Sequence, residues 1–367
     1  MSGRAIIIIV MGIIIVSSII ILNIEASSTN ITANFNNYYL RQSAQDIAQS
    51  GVNMGLRQLV YNGAWRTGFP LMNLLYGKVI VSAFDTTFAG TPVVAVRATG
   101  TAAYGTQLAT SATSTAYVPK RLPPPPLKGV LATSGPTATA GSLVIDGRNH
   151  TTTGTLVPGQ GVYGIWTSST FSQGGGSTVG GTVNGTDYAP KGWPKSSKVI
   201  QMNVPTSNPG TPDSVFGGSN FGYPEGTLKS IAQSAIGGSQ YVTDPTALKY
   251  PLVGVTYVEV PSGSSWSPNV PLSGTGIIVV HNSAKNAILV NVSNGNFAGI
   301  IIGDDIIHLN NTVIGAIIAL TPNPSQGNVI GNGNGQILYS SPAIKAATDF
   351  LQTGGLGSSG NVLAWRE

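Results

Sequence analysis

The sequence predicts an α+β amino-terminal part, one long helix with a small antiparallel sheet, followed by an all-β domain of parallel β-solenoid (β-helix) type. Three observations carry this. An apolar stretch without charge or proline runs from Ala5 to Leu22 and passes into an amphipathic stretch ending near Asn62. Three β-type runs separated by Gly/Thr-rich turns come next. Beyond a run of four prolines, glycine followed by a short aliphatic run recurs through the rest of the chain. A β-sandwich with long loops is the rival reading of that last part.

Composition narrows the class before any element is placed. Charged residues make up 8% of the chain, against roughly a quarter in an ordinary soluble domain. The chain holds 48 glycines and is rich in Ser, Thr and Asn, the balance of an exported, β-rich surface protein. Its net charge of +5 comes from scattered Lys and Arg. Nucleic-acid binding is not expected, because neutralising phosphates requires clustered cations. With no cysteine, disulfides and thiolate metal sites are excluded.

Ala5 to Leu22 would span about 27 Å as a helix, close to the ~30 Å hydrocarbon layer. Arg4 precedes it and Glu25 follows, so the positive-inside tendency leaves the amino end cytoplasmic and exports the remainder. A cleavable secretory signal has a shorter apolar centre and an A-x-A-like site; "NIEASS" is a poor candidate for one. From Asn34 to about Asn62 there is no proline, and Leu40, Ala44, Ile47, Gly51, Met54 and Leu59 form one apolar stripe at helical spacing. One helix of some 58 residues is therefore expected, about 87 Å long. Its second half docks on a globular part, and its first half sits among lipids or among copies of itself.

On these residues, Gly3 to about Asn62, the chain resembles type IV pilin-like proteins, in particular the large minor-pilin-like members with a β-helical carboxyl domain. In that family a peptidase cuts after a glycine directly before the apolar helix. Gly3 matches that position, with Arg4 as the first mature residue. Two departures stand out: only Met1 and Ser2 precede Gly3, and the fifth mature position holds Ile8 where most members carry glutamate. A plain uncleaved anchor is the other reading of the same segment.

Domain boundaries follow from composition. Residues 1–62 form the anchor and assembly helix. Residues 63–120 form a meander packed on it, with strands at Lys78–Phe84, Pro92–Thr99 and Gln107–Val118. "KRLPPPPLKG" makes 121–128 an extended linker. Residues 129–367 form the surface domain. There "GVLATS" (Gly129), "GSLVIDG" (Gly141), "GIIVVH" (Gly276), "GIIIGD" (Gly299) and "GAIIAL" (Gly315) share one theme. Short strands of this kind stack as coils with their aliphatics inward and Gly or Asn in the corners. "PEGTLKSIAQSAI" reads as a helix starting at Thr227 or Gly226. "SPAIKAATDFL" reads as another, with Ser341 as N-cap, Pro342 at the first position and Gly354 past its end. "VLAWRE" reads as a last strand.

Chemical motifs are few. "GQGVYG" (Gly159, Gly161, Gly164) fits GxGxxG but leads into a strand, so no helix terminus is offered to a phosphate. Asp304 and Asp305 beside His308 are the one acidic pair near a histidine, a metal-stabilised corner or an ordinary polar turn. His150, His281 and His308 show no ligand spacing. Asn30, Asn149, Asn184, Asn291 and Asn310 begin N-x-S/T triplets. Trp65, Trp166, Trp193, Trp266 and Trp365 are core residues or sugar-stacking platforms. No enzyme activity and no cofactor are expected.

The function read from this pattern is structural: a subunit of an extracellular pilus-like filament, held in the cytoplasmic membrane before assembly. Bundling then joins copies through the helix carrying Ile8, Gly12, Ser17, Ser18 and Glu25, where the small residues permit close approach. Partners are further copies, other pilin-like subunits or surface glycans. The alternative is a non-polymerising, membrane-anchored β-solenoid that binds polysaccharide.

Overall fold

The computed structural model describes residues 3–63, 65–88, 91–120, 124–192, 197–204, 210–292, 294–353, 362 and 364–366. Met1, Ser2, Pro123, Trp193 and Gly354, which the sequence singles out, lie outside them. A single helix, α1 (Gly3–Tyr61), opens the chain. With no proline before Pro70, nothing interrupts its hydrogen-bond ladder. The turn at Asn62–Gly63 ends it, with the Asn62 N–H still bonded to Gln58 O at 2.9 Å.

Four strands follow: β1 (Phe69–Leu74), β2 (Gly77–Phe88), β3 (Thr91–Ala102) and β4 (Thr110–Pro119). They pair antiparallel in chain order. Alternate residues of β2, namely Val79, Val81 and Ala83, turn to the core, while Ile80 and Phe84 face out. That is the period-2 pattern of a sheet with one covered face. β1 lies at the edge, and its register slips between Phe69 and Met72, which leaves Pro70 free of the ladder. The fifth strand comes from the far end of the chain, where β25 (Ala364–Arg366) pairs with β4. It belongs to this sheet, and not to the domain that begins at Gly129.

The second half of α1 covers the sheet's inner face. Ala44, Ile47, Val52 and Leu59 pack against Val79, Val81, Val94, Val96, Ala98, Ala116 and Val118. Leu40 and Met54, at the margins of the stripe, are half-buried. Contact is close at Gly51, Gly55 and Gly100. A Cβ on Gly51 would lie 2.6 Å from the Val79 side chain, and one on Gly100 would lie 2.5 Å from the Ala44 carbonyl oxygen.

From Gly129 onward nearly all strand pairing is parallel. The first set is β5 (Gly129–Thr133), β6 (Thr137–Gly141), β7 (Val144–Asp146), the small hairpin β8 (Asn149–His150) and β9 (Leu156–Val157), β10 (Tyr163–Thr167), β11 (Phe171–Gln173), β12 (Thr178–Val183), β13 (Thr186–Lys191) and β14 (Ile200–Gln201). The second is β15 (Gln240–Val242), β16 (Val255–Val258), β17 (Ser265–Trp266), β18 (Gly274–Val280), β19 (Ile288–Val292), β20 (Asn296–Gly303), β21 (Asp305–Leu309), β22 (Thr312–Ala319), β23 (Val329–Gly333) and β24 (Gln336–Tyr339). Between the sets lies α2 (Thr227–Gln233), and after them α3 (Ser341–Thr353).

Two parallel sheets share these strands. One contains β12, β7, β24, β22, β20, β18, β16 and β15 in that spatial order; the other runs β11, β6, β23, β21, β19, β17. From β18 to β24 the chain alternates strictly between them. The order along the stack is not the order along the chain. β22 is flanked by β24 along Thr312–Gly315 and by β5 along Ile317–Ala319. The chain thus enters in mid-stack at β5 and builds outward to β14. The next strand, β15, lies at the far end, and from there the chain winds back to meet its own beginning.

Gly276, Gly299 and Gly315 fall in register on adjacent strands and all have positive φ, 114°, 150° and 152°. A Cβ on Gly299 would sit 1.9 Å from the Gly276 carbonyl oxygen, and one on Gly315 would sit 1.8 Å from that of Gly299. Only glycine fits this column. The aliphatic residues after each glycine do not all point inward, as the sequence reading had it. Ile278, Val280, Ile301 and Ile317 enter the cluster between the two sheets, with Leu289, Ile306 and Val329 opposite. Ile277, Val279, Ile300, Ile302 and Ile318 face the other way, under a second apolar layer of Phe216, Tyr223, Leu228, Ile231, Ala347 and Leu351. The runs are continuous because both faces of this sheet are covered.

The helix ends also differ from expectation. Ser340, and not Ser341, caps α3: its hydroxyl accepts the Ala343 N–H at 3.2 Å. The Ser341 N–H is held instead by Asn149 Oδ1 at 2.9 Å, which moves Pro342 one place further into the helix. α2 stops before Ile236 because Ala235 adopts φ +54°. Its amino end is capped from a distance, by the Asp213 carboxylate accepting the Gly226 and Leu228 N–H groups at 2.8 Å each.

Candidate assembly interface

The first two-thirds of α1 stand clear of everything else described. Its apolar side chains are exposed throughout, from 48% at Val10 to 71% at Ile8. This helix is long and apolar enough to cross a membrane, and the span's most apolar window has no share buried within the chain. The Ser18 hydroxyl donates back to Ile14 O at 2.8 Å, which hides its polarity along an otherwise apolar wall.

Gly12, Ser17 and Ser18 are exposed, and a Cβ on Gly12 would meet nothing within 4 Å. They do not form one face: at 100° per residue Gly12 lies roughly 140° from Ser17 and 120° from Ser18. Gly3 starts the helix. Glu25 is exposed, and its backbone carbonyl accepts the Thr29 hydroxyl.

Beyond Leu22 the helix turns polar, yet one stripe remains. Ile24, Ile31, Phe35 and Tyr38 are 62%, 69%, 68% and 69% exposed. Their spacing places them within about 60° of one another around the axis, and roughly 150° from the centre of the stripe that docks on the sheet. The same helix therefore carries two apolar faces on opposite sides, one covered by its own sheet and one bare. Tyr38 lies about 24 Å along the helix from Leu22, whereas the headgroup layer on each side of a bilayer is only about 5–8 Å deep. Lipid therefore does not reach Ile31, Phe35 and Tyr38 on an upright helix, whereas Ile24 lies about 3 Å beyond Leu22, within the headgroup layer.

The acidic pair of the sequence reading comes apart in the fold. Asp304 is fully buried at the bend between β20 and β21. Its Oδ1 lies 2.5 Å from His281 Nδ1, and its Oδ2 accepts the Asn282 and Ala287 N–H groups at 3.2 and 3.1 Å. Asp305 begins β21 and takes the Ser325 N–H and hydroxyl, both at 2.7 Å. The two carboxylates have no partner in common, and each serves its own corner. His308 is not with them; it pairs with Asn291 of the neighbouring strand β19 at 3.1 Å. Among the described residues, no group of three or more His, Asp or Glu is arranged to hold a metal ion.

Two polar clusters escaped the sequence reading. Asp146 holds Arg148 through both oxygens, at 3.0–3.1 Å to Nε and 2.7 Å to Nη2. His150 Nδ1 lies 3.1 Å from the Tyr339 carbonyl, so that nitrogen carries the proton. The Asp-x-Arg-x-His spacing was the available signal. In the second, Glu259 accepts Lys229 and the Tyr241 hydroxyl, each at 2.6 Å. Burial pushes the Glu259 carboxyl up, but these two partners hold it below the usual range. The first cluster ties β7 and β8 to Tyr339 of β24, and the second ties α2 and β15 to Glu259.

The remaining motifs read plainly. The glycines of "GQGVYG" lead into β10 and reach no helix. Trp65 and Trp266 are buried, at 7% and 3%, while Trp365 is 39% exposed. Asn149 is buried and bonded, whereas Asn184 is exposed at the β12–β13 turn.

No family model matches this chain, and no curated protein or solved structure is similar to it. Its function is therefore argued from the bare helix face.

Proposed function

We propose that this chain is a structural subunit of an extracellular, type IV pilus-like filament, held in the membrane by residues 5–22 until copies bundle through α1. The supporting observation is the bare stripe Ile24, Ile31, Phe35 and Tyr38, opposite the docking face, with its last three members out of reach of lipid. Exposed apolar side chains at helical spacing are stabilised by another helix of the same length. A second copy supplies one. Side-by-side copies cover the stripe, and the small residues Ser17 and Ser28, which share its side of the helix, admit close approach there.

In this reading the alternating parallel strands from 129 to 339 are coils of a β-solenoid, stacked on the glycine column and displayed on the filament surface for lateral contacts or adhesion. The test is electron microscopy of sheared surface material from cells expressing the full chain and an Ile31→Asp/Phe35→Asp variant. Fibres containing the chain, lost in the variant while it stays membrane-bound, are the expected result. If the parent chain reaches the surface without fibres, the chain is a solitary anchored surface protein.

A further inference from the structure

β25 is the one strand of the antiparallel sheet that does not arise from residues 69–119. It follows α3 after the ten residues 354–363, a length of chain that spans at most about 33–36 Å. β4 uses one edge for β3 along ten positions. On its other edge, among the described residues, only the tail is bound: Ala364 faces Tyr117, Trp365 faces Ala116, and Arg366 faces Thr115. Just before the strand, Val362 is half-buried against the core between α1 and the sheet. Recognition therefore consists of one apolar peg and a three-residue ladder. Nothing in that contact depends on which copy of the chain supplies the tail.

We infer that the terminal strand β25, with Val362 before it, is exchangeable, adding to the β4 edge of a neighbouring copy and linking adjacent subunits. The contacts are the same in cis and in trans, so the balance between them is set by effective concentration. A short tether holds the tail near its own sheet at an effective concentration in the millimolar range. Copies packed side by side by their helices present the next β4 edge at a comparable concentration, so exchange becomes competitive in the assembly and negligible in a dilute monomer. An exchanged tail also leaves no bare edge in the array. The inference rests on the side-by-side reading above.

The chain has no cysteine, which makes disulfide trapping specific. Full chains carrying Thr115→Cys or Arg366→Cys alone are co-expressed, and sheared surface material is treated with mild oxidant. Exchange predicts a covalent dimer at twice the 37.6 kDa chain mass, roughly tenfold above either variant alone given comparable local concentrations. The Thr115→Cys/Arg366→Cys chain reports pairing within one copy. Fibres without a mixed dimer, alongside ready closure in the double variant, overturn exchange. Failure to close in both preparations overturns the pairing itself. Absence of fibres overturns the side-by-side reading, and microscopy scores that separately.

Discussion

His281 and Asp304, 23 positions apart in sequence, meet 2.5 Å apart in the interior, with side chains 7% and 0% exposed. The carboxylate also receives two backbone N–H groups, so it organises the bend that carries the chain from one parallel sheet to the other. Removing the acceptor of a buried donor leaves that donor unsatisfied, at about 1–3 kcal/mol each. Asp304→Ala in a 40–367 fragment is expected to lower the denaturant midpoint accordingly. Asp305→Ala, which removes bonds to Ser325 alone, is expected to cost less. Equal effects in urea titrations would remove the special place given to Asp304.

The glycine column makes a sharper demand. Gly299→Ala imposes a left-handed backbone on a residue with a Cβ, about 1–3 kcal/mol, and adds a contact of 1.9 Å with the carbonyl of Gly276. Gly105→Ala has positive φ but open space around it, so it carries the backbone term alone. Thermal melts of the two fragments should separate them clearly, with Gly299→Ala unfolded or insoluble. Comparable melts would mean that the strands are not stacked in this register.

Burial raises the Asp213 carboxyl to about 6 from its ordinary 3.8, against the Gly226 and Leu228 N–H groups that lower it; Glu225 adds to the rise and His281 opposes it. The folded chain then binds this proton more tightly than the unfolded chain does. Its contribution to stability grows as pH falls from about 7 toward 4, and is lost as pH rises through about 6. At neutral pH the ionised group costs up to about 3 kcal/mol relative to acid. Denaturation between pH 4 and pH 8 should show this slope, and Asp213→Asn should flatten it. A slope that survives the substitution would place the titration elsewhere.

The cap on α3 predicts a smaller effect. Ser340→Ala removes the acceptor for the Ala343 N–H and should cost about 1 kcal/mol. Ser341→Ala leaves its backbone bond to Asn149 intact and should cost almost nothing. Melting temperatures of the two variants decide between Ser340 and Ser341 as the cap.

Local pattern made α1 legible, because a proline-free run and a stripe such as Ala44, Ile47 and Gly51 are consequences of one periodicity. The three glycine-aliphatic motifs at 276, 299 and 315 likewise announced neighbouring strands. What the sequence concealed is long-range. Nothing near Gly129 says that β5 lies beside β22, and nothing near Ala364 says that β25 returns to β4. Asp213 caps a helix from 13 positions upstream of Gly226, farther than any capping motif reads. β1 was hidden by Pro70, which an edge strand with a slipped register tolerates. The bare stripe at Ile24, Ile31, Phe35 and Tyr38 was written in the sequence at helical spacing, yet it acquires meaning only once the opposite face is seen to be occupied.

The mid-stack position of β5 has a consequence for biogenesis. A chain leaving the ribosome or a translocation channel amino end first delivers β5 to β14 well before β22 and β24 exist. The early strands form a fragment whose inner edge, at Leu131 to Thr133, has no template until residues 312–319 emerge. Non-local closure of this kind is slow and leaves unpaired strands in contact with the surroundings. A chain truncated before Thr312 is therefore expected to be captured by chaperones or proteases, and the emergence of residues 312–319 sets the moment at which the first strands become permanent.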